Sequence, residues 1–240
     1  MAVTPDPRPP HPLVLLPGLL CDAAVWRDTI AALGGRARCW VADLTRDDTM
    51  ATMARRVLAE CPFERFALAG FSMGGYVAME LWRQAPGRIG RLALLATSAR
   101  TDTPERVRER ERFIALAEGD GFQPITRTML AFLVHPDRRA DAALAGEILA
   151  MAGRVGAPAY VRQQRAMLCR PDSRATLPTV NCPALVLCGR QDERAPPEVH
   201  EEMAAAIPGA RLAVLEDCGH MLPMERPAAV AGALAGWLAN

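Results

Sequence analysis

Apolar residues follow two patterns along this chain. Short apolar runs bounded by turn residues are typical of buried strands. In other segments apolar residues recur every three or four positions, as in amphipathic helices, and Thr49 and Pro227 stand where two such helices begin. Alternating strands and helices predict an α/β fold, a mainly parallel sheet of about six strands with helices on both faces. The predicted strands are residues 13–16, 39–42, 66–69, 92–96, 184–188 and 212–215.

One long segment interrupts this alternation after the fourth predicted strand. Residues 98–180 carry helical patterns, centred near Met129, Ile148 and Gln164, and no strand pattern. We therefore predict a core of residues 1–97 and 181–240 with a helical cap insertion of residues 98–180. Residues 1–11 are rich in proline and lack the apolar stretch of a signal peptide, so an extended or disordered lead is expected.

Charge and cysteine usage narrow the class of protein. The net charge is +1, from 28 basic and 27 acidic residues, which does not favour nucleic acid or an anionic membrane as partner. Mixed charges between Arg106 and Glu111 predict a solvent-exposed helix face. No apolar run is long enough for a membrane span. The seven cysteines form no C-x-x-C pair, so we expect reduced thiols in a cytoplasmic protein and no metal site.

The third predicted strand ends in Gly70-Phe71-Ser72-Met73-Gly74, and a helical pattern starts at Met73. G-x-S-x-G between a strand and a helix is the signature of a nucleophile elbow, a tight turn that holds a serine hydroxyl out of the sheet. The glycines leave room that a side chain would block. Ser72 is therefore the candidate nucleophile.

A serine hydroxyl needs a base, and the base needs an orienting acid. His220 follows the last predicted strand, and Asp192 follows the fifth, which matches the chain order nucleophile, acid, base. Glu193 and Asp102 are the alternative acids. The other histidines are expected elsewhere: His11 in the lead, His135 in the insertion and His200 in an exposed helix.

The oxyanion that forms during acyl transfer needs two preorganised donors. The amide of Met73 lies directly after the candidate nucleophile. The second donor is expected in the loop after the first strand, where Gly18 allows close approach of the backbone, and we assign it to the amide of Leu19.

Together these residues resemble the α/β-hydrolase superfamily. The specific motifs are GFSMGG, GRQDERAPPE and DCGHMLPMERP, and the resemblance runs from about residue 13 to 238. The chain is most similar to cap-bearing small serine esterases such as the carrier-protein methyl-ester esterases. It departs from the common pattern at Pro17, where histidine is usual, and after Asp43, where a glycine-rich turn is usual. The resemblance implies no metal and no organic cofactor.

We interpret the chain as a serine hydrolase that cleaves small-molecule carboxylic esters, acting as a monomer or homodimer. A C–C bond hydrolase or thioesterase with the same triad is the alternative enzyme, although the former commonly has tryptophan where Met221 stands. A slow-turnover ligand-binding receptor is the alternative from another class. Leu20, Met129, Phe132 and Met221 are expected to line the substrate pocket. An apolar slot of this kind favours apolar acyl or aryl esters over charged ones.

Overall fold

The computed structural model describes residues 10–119 and 121–239, so most of the predicted lead, residues 1–9, lies outside the described residues. Six strands form one sheet in the order β2-β1-β3-β4-β5-β6, and every pair is parallel. The predicted α/β fold is thereby confirmed. The strands are β1 (His11–Leu16), β2 (Ala37–Val41), β3 (Phe66–Phe71), β4 (Ile89–Leu95), β5 (Ala184–Gly189) and β6 (Arg211–Leu215).

The sheet is the middle of three layers. Successive side chains of a strand point to opposite faces, and in β1 Val14 and Leu16 join one apolar cluster while Leu13 and Leu15 join the other. All six residues of β3 and of β5 are buried, as expected for central strands covered on both sides. The covering helices are α1 (Arg27–Leu33), α2 (Met50–Glu60), α3 (Met73–Gln84), α7 (Pro197–Ala206), α8 (Leu222–Glu225) and α9 (Pro227–Ala239).

The segment between β4 and β5 is helical, as its pattern indicates. It contains α4 (Pro104–Glu118), α5 (Phe122–Leu130) and α6 (Ala142–Leu168). Helix α6 is kinked at Gly156, whose φ is 77°, two residues before Pro158. The kink explains why the sequence shows two helical segments here. In the described parts of the chain, no helix has both the length and the apolar character needed to cross a membrane.

His11 is the first residue of β1 rather than part of the lead, because its backbone amide donates a hydrogen bond to Arg36 O. Pairing with β2 thus begins two residues before the apolar run, where the side chains no longer need to be buried.

Helix α3 lies close to the sheet because small residues line the contact. A Cβ at Gly70 would overlap the Gly74 carbonyl, and a Cβ at Gly74 would overlap the Leu16 carbonyl. A Cβ at Gly75 would overlap the Thr97 side chain. The start of α3, and with it Ser72, is therefore held at a distance from the strands that only glycine permits.

We predict that Gly75→Ala lowers the free energy of unfolding by about 1–3 kcal/mol, because the added methyl group overpacks a rigid contact. Urea denaturation measures this change. Gly232→Ala is the matched control, since Gly232 is an exposed residue of α9 with open space around it. That substitution should raise stability by about 0.5–1 kcal/mol. Equal effects of the two substitutions would show that the α3 contact is not tight.

Candidate active site

Ser72 occupies the sharp turn between β3 and α3. Its backbone has φ 53° and ψ −115°, a region that side-chain-bearing residues rarely adopt. Such a conformation costs about 1–3 kcal/mol and persists only where neighbours hold it. Here the Ser72 amide donates to Leu95 O at 2.8 Å, and Thr97 Oγ1 donates to Ser72 O at 2.8 Å. Leu95 is the last residue of β4 and Thr97 follows two positions later, so the end of the adjacent strand stabilises the turn.

Three side chains from three strand ends meet at this turn. Ser72 Oγ lies 2.9 Å from His220 Nε2, and His220 Nδ1 lies 2.8 Å from Asp192 Oδ2. His220 follows β6, Asp192 follows β5, and Phe71 packs beside the imidazole with ring centroids 5.5 Å apart. This arrangement can move a proton from the serine hydroxyl to the imidazole while the carboxylate orients the ring.

Asp192 is a buried carboxylate with four hydrogen-bond contacts. It is 2% exposed, and its Oδ1 also accepts hydrogen bonds from the amides of Arg194 at 2.8 Å and Ala195 at 2.9 Å. Burial alone would raise the pKa of Asp192. His220 and the two amides outweigh burial and hold that pKa below its usual value. The acid is therefore ionised at neutral pH.

The alternative acids have other partners. Glu193 is exposed and forms an ion pair with Arg139 at 2.9 Å. Asp102 is buried between Arg110 and Arg170, and despite the effect of burial these two guanidinium groups hold its pKa well below the usual range. Of the three candidates, only Asp192 is in contact with His220.

The two proposed oxyanion donors are free of protein acceptors. Within the described part of the chain, neither the Leu19 amide nor the Met73 amide donates a hydrogen bond to another residue. The following residue, Leu20, has φ 57°, and its amide donates to Gln163 Oε1 at 3.0 Å. Gln163 Nε2 in turn donates to Leu44 O at 3.1 Å. Helix α6 thus holds the loop that carries Leu19, a role that no local sequence pattern indicates.

Backbone strain is concentrated at this end of the sheet. The described residues other than glycine with positive φ all follow strands that end here. Strained conformations often cluster at functional sites, where the surrounding structure holds them. The four residues and their φ values are Leu20 at 57°, Ser72 at 53°, Ala96 at 46° and Asp217 at 49°.

A cleft opens above Ser72, between the strand ends and the cap helices. Leu20, Met129 and Met221 are among its lining residues. Phe132 is not, and the prediction for this residue is wrong. It follows the end of α5, where the chain turns outward, and is 48% exposed beside a neighbouring groove. Other apolar residues of the cleft are Phe71, Leu133, Ile148, Leu149, Met151 and Met167.

The helix face expected to be solvent-exposed is in part a wall of this cleft. Arg106 and Arg110 of α4 both line the cleft, and Arg110 is only 7% exposed. Arg110 is buried, contrary to the prediction, because it forms an ion pair with Asp102. The ion pair removes the free-energy cost of burying an isolated cation. A sequence pattern of mixed charges cannot reveal a partner that precedes the helix.

His200 is fully buried, contrary to the expectation of an exposed position. Its Nε2 accepts a hydrogen bond from the Thr97 amide at 3.0 Å, and its Nδ1 lies 3.2 Å from Pro196 O. Nδ1 therefore carries the proton of a neutral ring. Burial lowers the pKa of His200. Because Thr97 also donates to the Ser72 carbonyl, His200 supports the strained turn through Thr97. Its helical spacing from buried Met203 is the sequence feature that could have indicated burial.

The remaining candidate groups lie elsewhere. His135 is buried at the edge of the cap, where its amide donates to Glu225 Oε2 at 2.7 Å. All seven cysteines are free thiols. Burial raises the pKa of Cys21 and of Cys188 to about 12, so neither provides a thiolate nucleophile at neutral pH.

Comparison with known proteins identifies the family of this chain. The profile of the alpha/beta hydrolase family matches residues 13–233. A pimeloyl-[acyl-carrier protein] methyl ester esterase of Nitrosomonas europaea is 30% identical over 226 residues, which cover 87% of this chain and 88% of that protein. The chain belongs to the alpha/beta hydrolase family and is a hydrolase.

Solved structures agree with this assignment. A thermophilic esterase from Thermogutta terrifontis, determined with malate bound, superposes with a TM-score of 0.86 at 30% identity, covering 95% of this chain and 89% of that one. The enol-lactonase from Burkholderia xenovorans superposes with a TM-score of 0.86 at 26% identity, covering 96% and 92%. The similarity to carrier-protein methyl-ester esterases, inferred from sequence motifs, is confirmed.

We predict that Gln163→Leu lowers kcat by up to about 100-fold with a smaller change in KM, because misplacing one oxyanion donor weakens transition-state binding. The matched control is Gln164→Leu, the next residue of α6, which is equally buried but bonds to Arg110 and Tyr160. Steady-state kinetics on a neutral ester measures both variants. If the two variants lose kcat equally, the loop is not held by Gln163.

We predict that stability falls as pH drops below about 6.5, partly through His200. A histidine that is neutral when folded binds a proton more readily when unfolded, where its pKa is near 6.5. Acid therefore favours the unfolded state. In urea denaturation between about pH 8 and pH 5, His200→Gln should weaken this pH dependence, because glutamine can accept the Thr97 hydrogen bond and does not titrate. A pH dependence identical in both proteins would contradict the assignment.

Proposed function

We propose that the protein hydrolyses carboxylic esters through an acyl-enzyme, with Ser72 as nucleophile, His220 as base and Asp192 as orienting acid. The observation that carries the proposal is the continuous contact from Ser72 Oγ to His220 Nε2, 2.9 Å, and from His220 Nδ1 to Asp192 Oδ2, 2.8 Å. It lies at the floor of a cleft, at the strand ends where catalytic groups of parallel α/β sheets gather.

The first half of the reaction acylates the serine. Ser72 Oγ attacks the ester carbonyl carbon while His220 Nε2 takes the hydroxyl proton. The buried Asp192 carboxylate stabilises the resulting imidazolium. The negative oxygen of the tetrahedral intermediate is bound by the free amides of Leu19 and Met73. When the C–O bond breaks, His220 returns the proton to the leaving alcohol.

The second half releases the acid. A water molecule takes the place of the alcohol, and His220 removes one of its protons as it attacks the acyl carbonyl. The same two amides bind the second oxyanion. Collapse of this intermediate breaks the bond to Ser72 Oγ, which recovers its proton from His220. The full cycle consumes one water molecule and converts the ester into an acid and an alcohol.

The names of the relatives support an ester substrate. Two of the proteins described above are named as esterases, and the third as an enol-lactonase, which acts on a cyclic ester. The cleft is lined largely by apolar side chains, and this fits a small organic acyl or alcohol group. A cytoplasmic location fits the seven free thiols.

We predict that Ser72→Ala abolishes labelling by a fluorophosphonate probe and lowers kcat by several orders of magnitude on p-nitrophenyl esters, because the triad acts as a unit. Gel fluorescence of the labelled protein and initial rates measure these changes. An unchanged melting temperature serves as the control for folding. Labelling that persists in the variant would place the nucleophile elsewhere.

The choice of acid has its own test. Asp192→Asn should be nearly as damaging to kcat as loss of His220, because an amide cannot stabilise the imidazolium. Glu193→Gln is the matched control, since it makes the same chemical change at the next residue, which is exposed and paired with Arg139. We expect that variant to retain activity within about twofold, as is usual for an exposed ion pair. The reverse ranking of the two variants would reject Asp192.

A further inference from the structure

The cleft above Ser72 carries positive charge without matching negative charge. Arg106, Arg110 and Arg194 all line it. Among the described residues that form its lining, none is aspartate or glutamate. A neutral ester would not require three guanidinium groups beside it, so each of these groups needs a physical explanation.

Arg110 is explained by its partners in the cap. Its Nε donates to Asp102 Oδ2 at 2.5 Å, and its Nη1 donates to Gln164 Oε1 at 2.7 Å. Asp102 is shared with Arg170, whose Nη1 and Nη2 lie 2.7 and 2.8 Å from its two oxygens. One carboxylate therefore serves two buried guanidinium groups, and this cluster is itself positive by one charge.

Arg194 has no such explanation. Within the described chain its guanidinium has no hydrogen-bond or ion-pair partner, although the side chain is partly buried. Arg106 donates one hydrogen bond, from Nη2 to Arg194 O at 3.2 Å, and has no described carboxylate partner. Burial, followed by the nearby Arg106 cation, lowers the pKa of Arg194. Glu109 offsets part of this effect, and it lines an adjoining groove together with Arg194, but it forms no ion pair or hydrogen bond with Arg194 in the described chain and is absent from the cleft lining.

The backbone of Arg194 is held in place with respect to the proposed triad. Its amide donates to Asp192 Oδ1 at 2.8 Å, and Asp192 in turn contacts His220. Its carbonyl accepts the hydrogen bond from Arg106 of α4. The backbone that carries this side chain is thus fixed on one side by the acid of the triad and on the other by the cap.

We infer that Arg194 and Arg106 form an anion subsite in the cleft, and that the preferred substrates are esters that carry an anionic group, a carboxylate or a phosphate, away from the scissile bond. The inference rests on the proposed ester hydrolysis and names its substrate class. A guanidinium left unpaired in a partly buried site loses hydration without compensation, and a bound anion restores it. Its planar donors match the two oxygens of a carboxylate or phosphate.

An anion subsite changes the expected substrate. The apolar cleft alone would disfavour charged esters, whereas the subsite favours them. The apolar residues of the cleft would contact the carbon chain, and the two arginines would bind its charged end. Substrate selection then combines chain length with charge, because both contacts form only when the spacer matches the distance between Ser72 and the guanidinium groups.

The kinetic test compares esters of equal length with and without charge. Monomethyl esters of straight-chain dicarboxylic acids are assayed beside neutral methyl esters of the same acyl length, and a second series places the carboxylate on the alcohol. We expect one charged series to exceed its neutral partners in kcat/KM at an optimal length. Arg194→Gln should lower kcat/KM for that ester by roughly 10- to 100-fold more than it lowers kcat/KM for the neutral ester, as for loss of a charge-assisted hydrogen bond.

Three controls accompany the kinetic test. Arg112→Gln, an exposed arginine of the same helix α4, should change neither ester. Arg194→Lys should keep part of the preference, because it retains charge without the planar donors. The preference should also shrink as ionic strength rises. Melting temperatures of all variants exclude unfolding as the cause, and Arg106→Gln provides a second variant if Arg194→Gln does not fold.

A binding measurement separates this inference from the proposed function. Calorimetry with Ser72→Ala protein and glutarate, or with inorganic phosphate, requires no turnover and shows which anion binds. If introducing Arg194→Gln into the Ser72→Ala protein weakens anion binding about tenfold or more, the subsite is supported even if no ester is hydrolysed. If neutral esters are hydrolysed while no charged series is preferred and neither anion binds in an Arg194-dependent way, the subsite is rejected and the esterase proposal stands.

Discussion

The strained backbone at Ser72 is the constraint on which the rest of the site depends. A φ of 53° is unfavourable for a residue with a side chain, so Ser72 keeps this conformation only because neighbouring groups hold the turn. Glycines let α3 begin directly against the sheet, and the end of β4 supplies Leu95 and Thr97 as hydrogen-bond partners. His200 holds Thr97 in turn, by accepting a hydrogen bond from its amide. The turn thus presents the hydroxyl and, at Met73, the first free amide of α3 to the same point.

The buried carboxylate of Asp192 fixes the positions of its neighbours on the other side of the cleft. Asp192 could not remain ionised in the interior without donors, and it has three: the His220 imidazole and the amides of Arg194 and Ala195. The same hydrogen bonds that hold the carboxylate therefore also set the position of the imidazole and of the Arg194 backbone. In this way a single buried charge determines the placement of a proposed base and of a proposed anion-binding group.

The segment between β4 and β5, the proposed cap, does more than line the cleft. Gln163 of α6 holds the backbone of Leu20 beside the proposed oxyanion donor, and the Met221 amide donates to Leu133 O at 2.9 Å, next to His220. The cap thus contacts both loops that carry proposed catalytic groups. A displacement of these helices would change the alignment of the loops as well as access to the cleft, which links substrate binding to the geometry of the site.

Local patterns along the chain are enough to predict the parallel α/β sheet and the chain order of Ser72, Asp192 and His220, because strand periodicity and the elbow motif each lie within a single segment. Which side chains face the cleft depends instead on how distant segments pack against one another. The sequence predicts Phe132 in the cleft and Arg106 and Arg110 in solvent, whereas in the structure the two arginines line the cleft and Phe132 does not, since side-chain orientation depends on contacts distant in sequence. The bonds from Gln163 to Leu20 and from His200 to Thr97 join residues 143 and 103 positions apart. Such partners are brought together by folding, and no pattern within one segment contains them.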